Sequence, residues 1–277
     1  MISIIIPTYK REEKLNKSLK KIISLDSGIF KYEIIVINDA EEKIKIINDK
    51  RIKLIEHLKN KGGQFARKTG LKQAKFQWIL FLDDDDEICS NFFNIISTID
   101  FNSSIDIIYF DFLIQQSNLK FKNLHFNEKH AKKPWLQNTL FQNKIYNRNI
   151  LDINFFSDIK MYQDENIFFK SVNKKTKYKI INKPIIKYKY NENSVSKFND
   201  YLLKFNRLLD NYLEFVNMPE TEMTLYARGR LFSFLKYWTK LGKLNKKELI
   251  KNQKKIKMKF TLDDIGRLIL SKIIFWK

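Results

Sequence analysis

The stretch "ILFLDDDDEI", residues 79–88, decides the fold. Ile79 to Leu82 form a short apolar run that passes directly into four aspartates, Asp83 to Asp86. A short apolar run closed by polar residues reads as a strand buried on both faces. Four adjacent carboxylates repel one another and need a counter-charge. Outward from this stretch the same theme recurs. Residues 2–6 (ISIII) end at Pro7, and "YEIIVIND" (32–39), "IKLIEHL" (52–58) and "IDIIYFDFLI" (105–114) are further strand candidates. Between them, Leu15, Leu19, Ile22 and Ile23 recur at helical spacing over 12–25. Residues 64–75 repeat this with Ala66, Leu71 and Ala74 inward. Strands apolar on both faces and separated by helices predict a doubly wound α/β domain, a mostly parallel sheet with helices on both faces.

The second half changes character. Residues 115–160 are polar, aromatic and irregular, and from about residue 200 the pattern turns helical and basic. The last stretch, "FTLDDIGRLILSKIIFWK", is amphipathic, with Ile265, Leu268, Ile269, Ile273 and Trp276 on one face behind a lysine-rich segment, 243–259. Such a helix either lies on an anionic membrane surface or packs its apolar face on the protein. With no linker rich in Gly, Pro or Ser, one continuous body with a helical C-terminal part, 201–277, is expected.

Composition narrows the classes. Of 277 residues, 44% are hydrophobic and 14% aromatic, enough for a core and against global disorder. No apolar run reaches the ~18 residues of a membrane span. The start, "MISIIIPTYK", reads as a first strand and not as a signal peptide. The single cysteine, Cys89, excludes an internal disulfide and fits a reducing cytoplasm. The net charge of +21 suits nucleotides, phosphorylated lipids or anionic membranes. Nucleic acid is the less favoured partner: the lysines are dispersed among Ile and Asn, and the acidic run would repel phosphate unless a metal sits there.

In open α/β sheets ligands bind beyond the carboxyl ends of the strands. Pro7-Thr8-Tyr9, Asn38-Asp39 and Asp83–Asp86 all fall at such ends, so one sheet edge is the expected site. The acidic run is either a solvated loop or a seat for Mg2+ or Mn2+ with phosphate completing the shell. His57, His125 and His130 form no H-E-x-x-H pair, and no G-x-x-x-x-G-K-[ST] or G-x-G-x-x-G occurs. Any phosphate grip must come from metal and side chains.

Four segments, "SIIIPTYKREEKLNKSLKKI", "YEIIVINDA", "NKGGQFARKTGLKQAKFQWILFLDDDDE" and "YQDENIFF", follow one another as in family 2 glycosyltransferases of the GT-A fold, which the chain resembles over roughly residues 1–200. The resemblance implies a catalytic domain over 1–200, with 1–115 binding nucleotide and 116–200 bordering the acceptor. Pro7, Thr8 and Tyr9 would line the nucleotide site, Asp39 would contact the base and Arg67 the nucleotide. Gly62 and Gly63 would permit close backbone approach. The acidic run would hold the D-x-D motif: Asp85 on the metal, Asp83 on the ribose or metal, Asp84 in the variable position and with Asp83 among the residues binding the nucleotide-sugar, Asp86 after it. Asp164 would be the catalytic base, with Glu165 the competing assignment and Gln163 standing where the family has glutamate. Asn38-Asp39-Ala40-Glu41 departs from the usual D-D-G-S, and Lys68 from the usual Asn. "FQNKIYNRNIL" (141–151) resembles an acceptor-bordering segment, so Asn143, Lys144 and Arg148 are either contacts to acceptor phosphate or part of a solvated loop. The implied reaction is metal-dependent, inverting transfer from a nucleotide-diphosphate sugar, a UDP-sugar, to a bacterial surface glycan or glycolipid. The expected location is the cytoplasm, and the basic amphipathic segment 243–277 either meets the inner face of the membrane or packs on the protein. The alternatives are a nucleotidyltransferase, which lacks its glycine-rich, lysine-bearing loop here, a nucleic-acid-binding protein, and a non-catalytic member of the same fold.

Overall fold

The computed structural model describes residues 1–102, 104–115, 120–125, 140–156, 163–173, 175–188, 214–215 and 218. Expectations for the helical C-terminal part and its amphipathic last stretch lie outside them. By contact the chain divides into two compact units, Met1–Asp158 with Lys170–Glu192, and Ile159–Phe169 with Asn193–Lys277.

The first unit is built on one sheet. β1 (Ile2–Thr8), β2 (Tyr32–Asn38), β3 (Ile52–Glu56) and β4 (Trp78–Phe81) are parallel neighbours in the order β3-β2-β1-β4. The helices between them are α1 (Glu12–Ser24) and α2 (Gly63–Gln73). The expected parallel sheet is found here: α1 carries the chain back between β1 and β2, α2 between β3 and β4, and a helix-free connection joins β2 to β3. β5 (Glu87–Ile88), α3 (Phe92–Ser97), β6 (Ile107–Gln115), β7 (Phe121–Leu124), β8 (Lys144–Asn147) and β9 (Tyr178–Tyr188) complete the unit. β8 joins β4 antiparallel, β6 joins β8 antiparallel, and β9 runs parallel to β6. The sheet is therefore parallel from β3 to β4 and mixed beyond.

Alternation along β1 explains the layers. Ile2, Ile4 and Ile6 share a core with Leu15, Leu19 and Ile22 of α1 and Phe92, Phe93 and Ile96 of α3. Ile5 and Ile37 point the other way, onto α2, which approaches so closely that a Cβ on Gly70 would lie 2.4 Å from Ile5 Cγ2 and 2.8 Å from Ile37 Cδ1. The last glycine of "NKGGQFARKTG" is thus a packing residue: any side chain there would push α2 off the sheet.

β1 runs past its expected end at Ile6, through Pro7 to Thr8. Proline has no N–H to give a ladder. The pairing with β4 has already ended at Ile5 opposite Phe81, and the ladder with β2 continues to Thr8 opposite Asn38. This stagger leaves Thr8, Asp39 and Asp83 together at one open edge.

In the second unit the described part is residues 163–169 of α4 (Gln163–Ser171) with Glu214, Phe215 and Met218. Phe169 packs on Phe215 with ring centroids 6.1 Å apart, and the Asn166 amide donates to the Glu214 carboxylate at 2.9 Å.

Candidate active site

The carboxyl edge of the parallel strands carries the acidic run as a tight turn, in which the Asp86 N–H donates to the Asp83 carbonyl at 3.1 Å. Each of the first three aspartates meets a different set of donors. The Thr8 hydroxyl donates to Asp84 Oδ2 at 2.7 Å. One nitrogen of Arg11, Nη1, lies 2.9 Å from Asp84 Oδ1 and 2.9 Å from Asp85 Oδ2. Arg67, on α2, donates to Asp83 Oδ1 at 2.5 Å, and the Gln142 amide donates to Asp83 Oδ2 at 2.6 Å. The Arg67 guanidinium also stands over the Phe141 ring, 5.2 Å from its centroid, which holds the side chain flat against the edge.

The three carboxylates differ in depth. The Asp84 side chain is 5% exposed, against 31% for Asp83 and 25% for Asp85. Burial pushes the Asp84 carboxyl above its ordinary value, against the pull of Thr8 and Arg11. Asp84, expected at the variable position of the motif, is the structural centre of the turn. Asp83 and Asp85 are the aspartates at its solvent edge.

Asp39 is buried, and both of its oxygens are engaged. Oδ1 lies 2.7 Å from His57 Nδ1 and accepts from the Lys61 N–H at 2.9 Å; Oδ2 accepts from the Gly62 N–H at 2.7 Å. His57 in turn sets its Nε2 2.9 Å from the Thr69 hydroxyl. Gly62 has a φ of +89°, a conformation that side chains rarely adopt, and it starts α2. Asp39 therefore ties the end of β2 to the start of the helix that carries Arg67. Tyr9 is 46% exposed, and its ring stands beside the same edge with Lys10 Nζ 5.7 Å from its centroid.

Two expectations for the segment after residue 140 are corrected. Asn143 and Lys144 are neither a solvated loop nor a surface for acceptor phosphate. Lys144 is wholly buried; its ammonium donates to the Leu140 carbonyl at 2.6 Å and to Asn143 Oδ1 at 2.8 Å, 5.3 Å from the Tyr109 ring centroid. The Asn143 amide donates to the Phe110 carbonyl at 3.0 Å. Buried polar groups are retained where partners of this kind satisfy them. Arg148 turns one nitrogen to the Ala74 carbonyl at 2.6 Å.

Asp164 is half-buried in the first turn of α4, in the second unit. The side chains of Gln163 and Glu165 lie outside the described residues.

Arg11, His57 and Gln142 join this edge without having been singled out from the sequence. Four clustered carboxylates call for a counter-charge, but no local pattern pairs Arg11 with them or His57 with Asp39, which lie 73 and 18 residues apart from their partners. Nothing in "FQNK" distinguishes Gln142.

The donor chemistry suits a hard cation. Among the described residues no three His, Cys, Asp or Glu side chains are grouped to hold a metal alone. The Asp85 and Asp83 carboxylates at the edge fit Mg2+ or Mn2+ in the usual way, one or two carboxylates with phosphate and water completing the shell.

Comparison with known proteins agrees with this reading. The family model described as glycosyl transferase family 2 matches residues 3–153. The chain is 29% identical over 123 residues, 43% of its length and 48% of the relative's, to an Escherichia coli protein named UDP-Glc:alpha-D-GlcNAc-diphosphoundecaprenol beta-1,3-glucosyltransferase WfgD. It spans less than half the length of each of the first curated relatives it matches. Residues 1–349 of Staphylococcus aureus TarS, in complex with UDP-GlcNAc, share the fold at a TM-score of 0.59 and 15% identity, over 98% of this chain and 79% of that one. A Pyrobaculum calidifontis mannosyltransferase in complex with GDP-Man and Mn2+ shares it at a TM-score of 0.53 and 10% identity, over 99% of this chain and 84% of that one.

Proposed function

This chain belongs to glycosyl transferase family 2, and we propose that it moves a sugar from a UDP-sugar to a hydroxyl of a bacterial surface glycan or glycolipid, with inversion at the anomeric carbon. The observation that carries the proposal is the convergence of Thr8, Arg67 and the Asp83–Asp85 turn on one sheet edge. The neighbour's complex with UDP-GlcNAc supports the donor, and the diphosphoundecaprenol in the E. coli relative's name supports the acceptor class.

The residues divide the work. Tyr9, exposed beside Pro7 and Thr8, offers a ring face to the base. Asp39 orders the Lys61–Gly62 turn and, through it, the helix that aims Arg67 at the nucleotide. Asp85 and Asp83 would hold Mn2+ or Mg2+, and Asp83 would also meet the ribose. A cation bound there supplies charge neutralisation for the departing diphosphate. Asp164 takes the proton from the acceptor hydroxyl, whose oxygen forms the new bond to the anomeric carbon as the bond to the diphosphate breaks. One carboxylate base is enough, because the leaving nucleotide diphosphate needs charge stabilisation and not a proton.

The domain reading goes with it: catalysis over 1–200, nucleotide-binding in 1–115, and a basic helical part over 201–277. No helix among the described residues is long and apolar enough to cross a membrane. Peripheral contact through 243–277 on the cytoplasmic face is part of the proposal.

Thermal shift against UDP-, GDP- and CMP-sugars, each with and without Mn2+, tests the donor. Metal-dependent stabilisation by a UDP-sugar is expected, and salt-sensitive stabilisation by RNA or DNA alone would replace the reading with nucleic-acid binding. Asp164→Asn should keep donor binding and lower transfer by roughly 10²–10⁴-fold. Retained transfer would move the base to Glu165 or elsewhere.

A further inference from the structure

Arg11 is the cation at this edge that the strand-end motifs leave without a role. It directly follows a backbone bend: Lys10 has a φ of +54°, the one positive value at a non-glycine among the described residues. The bend turns the chain at the start of α1 so that the Arg11 side chain reaches back over the end of β1 to an acidic turn 73 residues later. There a single guanidinium nitrogen bridges two neighbouring carboxylates, Asp84 and Asp85, at 2.9 Å each.

The two halves of the bridge are unequal. Asp84 is buried, and its other oxygen is held by Thr8 at 2.7 Å. That half sits in a low dielectric, where charge pairs are strong and costly to break. Asp85 is five times more exposed, 25% against 5%, and solvent weakens its half of the bridge. Asp85 is also the carboxylate with the best claim on a divalent cation. A divalent ion arriving at Asp85 meets the positive guanidinium already held on that carboxylate, and of the two like charges the ion carries twice as much.

We propose that Arg11 is a displaceable counter-cation: anchored on Asp84, it neutralises Asp85 when no divalent cation is bound and yields Asp85 to the cation when one arrives. Arg11 is then a positioning residue that keeps the acidic turn folded and sets how much cation is needed to load it. The inference rests on Asp85 being the metal carboxylate of the proposed function.

Direct Mn2+ titration of the full chain without nucleotide, followed by the EPR signal of free Mn2+, tests it. Arg11→Gln keeps hydrogen-bond donors but removes the competing charge, and should bind Mn2+ about tenfold more tightly than the wild type. Arg11→Lys keeps the charge and should stay within about threefold of the wild type. A residue with only a structural role would change the melting temperature without tightening metal binding. Equal or weaker Mn2+ binding by Arg11→Gln overturns the proposal. If Arg11→Gln does not fold, the wild-type Arg11 Nε–H resonance, identified by its loss in Arg11→Lys, gives the same answer. It should shift and saturate during a Mg2+ titration, and an unmoved resonance rejects the displacement. A UDP thermal-shift arm separates the two readings. Nucleotide binding without the tightening rejects Arg11 alone, whereas tightening without nucleotide binding rejects the donor reading and leaves Arg11 standing.

Discussion

Glu33, near the start of β2, and Asp85, beyond the end of β4, are carboxylates at opposite rims of the same parallel strands, and the structure satisfies them in opposite ways. Glu33 Oε1 accepts from the Ser3 hydroxyl at 2.7 Å and from the Lys75 N–H at 2.6 Å, and the Ser3 oxygen accepts in turn from the Phe76 N–H at 3.1 Å. These donors are short or part of the main chain, so the amino rim is a permanent staple between β1, β2 and the turn that leads into β4. At the carboxyl rim the donors to Asp83, Asp84 and Asp85 include the ends of two long side chains, Arg11 and Arg67. Long side chains can move aside for a ligand and main-chain donors cannot. One rim holds the sheet together; the other holds charge in reserve.

Replacing each carboxylate by its amide isostere separates the two rims, and the larger effect is expected at the carboxyl rim. Asp85→Asn keeps shape and hydrogen bonding but removes the charge proposed to hold the cation. Transfer should fall by at least about 10³-fold, with the fold retained, because charge stabilisation of a leaving diphosphate is an electrostatic contribution that an amide does not replace. Steady-state rates with a UDP-sugar and Mn2+, beside a thermal melt, would show it. A variant that keeps within tenfold of the wild-type rate would put the rims on an equal footing and move the cation to another carboxylate.

The amino rim should behave inversely. Glu33→Gln keeps the accepting oxygen and should cost less than about 1 kcal/mol of stability. Glu33→Ala leaves the Ser3 hydroxyl and the Lys75 N–H without their acceptor and should cost about 2–3 kcal/mol. Neither change should alter the affinity for UDP. Urea denaturation with nucleotide titration on the folded fraction measures both, and a weakened UDP affinity in Glu33→Gln would show that the rims communicate.

Much of this architecture was legible in the sequence, for reasons the two rims make concrete. The parallel strands read clearly because both faces of β1 and β2 are buried, which writes an uninterrupted apolar run. The strand-end motifs read clearly because a ligand edge gathers whatever follows those runs. Arg11 did not read, because its partners lie 73 and 74 residues away and a pair across a sheet edge leaves no local period. β8 did not read either. "KIYN" carries a lysine and an asparagine, so it resembles a loop until the Leu140 carbonyl, Asn143 and the Tyr109 ring are brought around Lys144 by the fold. β9 is disguised by Pro184 and by the register irregularity where it passes Asp111 of β6. Distant partners that make a polar residue buriable are a property of the folded chain, and local pattern does not carry them.

The smallest effect concerns how the displaceable rim is aimed. The left-handed bend at Lys10 sends Arg11 back toward the turn, and lysine pays for that conformation through the clash of its Cβ with the backbone. Its ion pair with Glu42, 3.0 Å long, joins side chains that are 54% and 66% exposed, and pairs in such water-rich surroundings contribute little. Asparagine visits the left-handed region more readily than lysine. Lys10→Asn should therefore keep the bend, leave Arg11 on Asp84, and raise the melting temperature by about 2 °C without changing Mn2+ or UDP affinity. Lys10→Val, β-branched and poorly suited to positive φ, should lower the melting temperature and disturb the aim of Arg11, which Mn2+ titration would register. If Lys10→Val leaves metal binding untouched while lowering stability, the bend matters to the fold alone. Arg11 would then reach its carboxylates by the length of its own side chain.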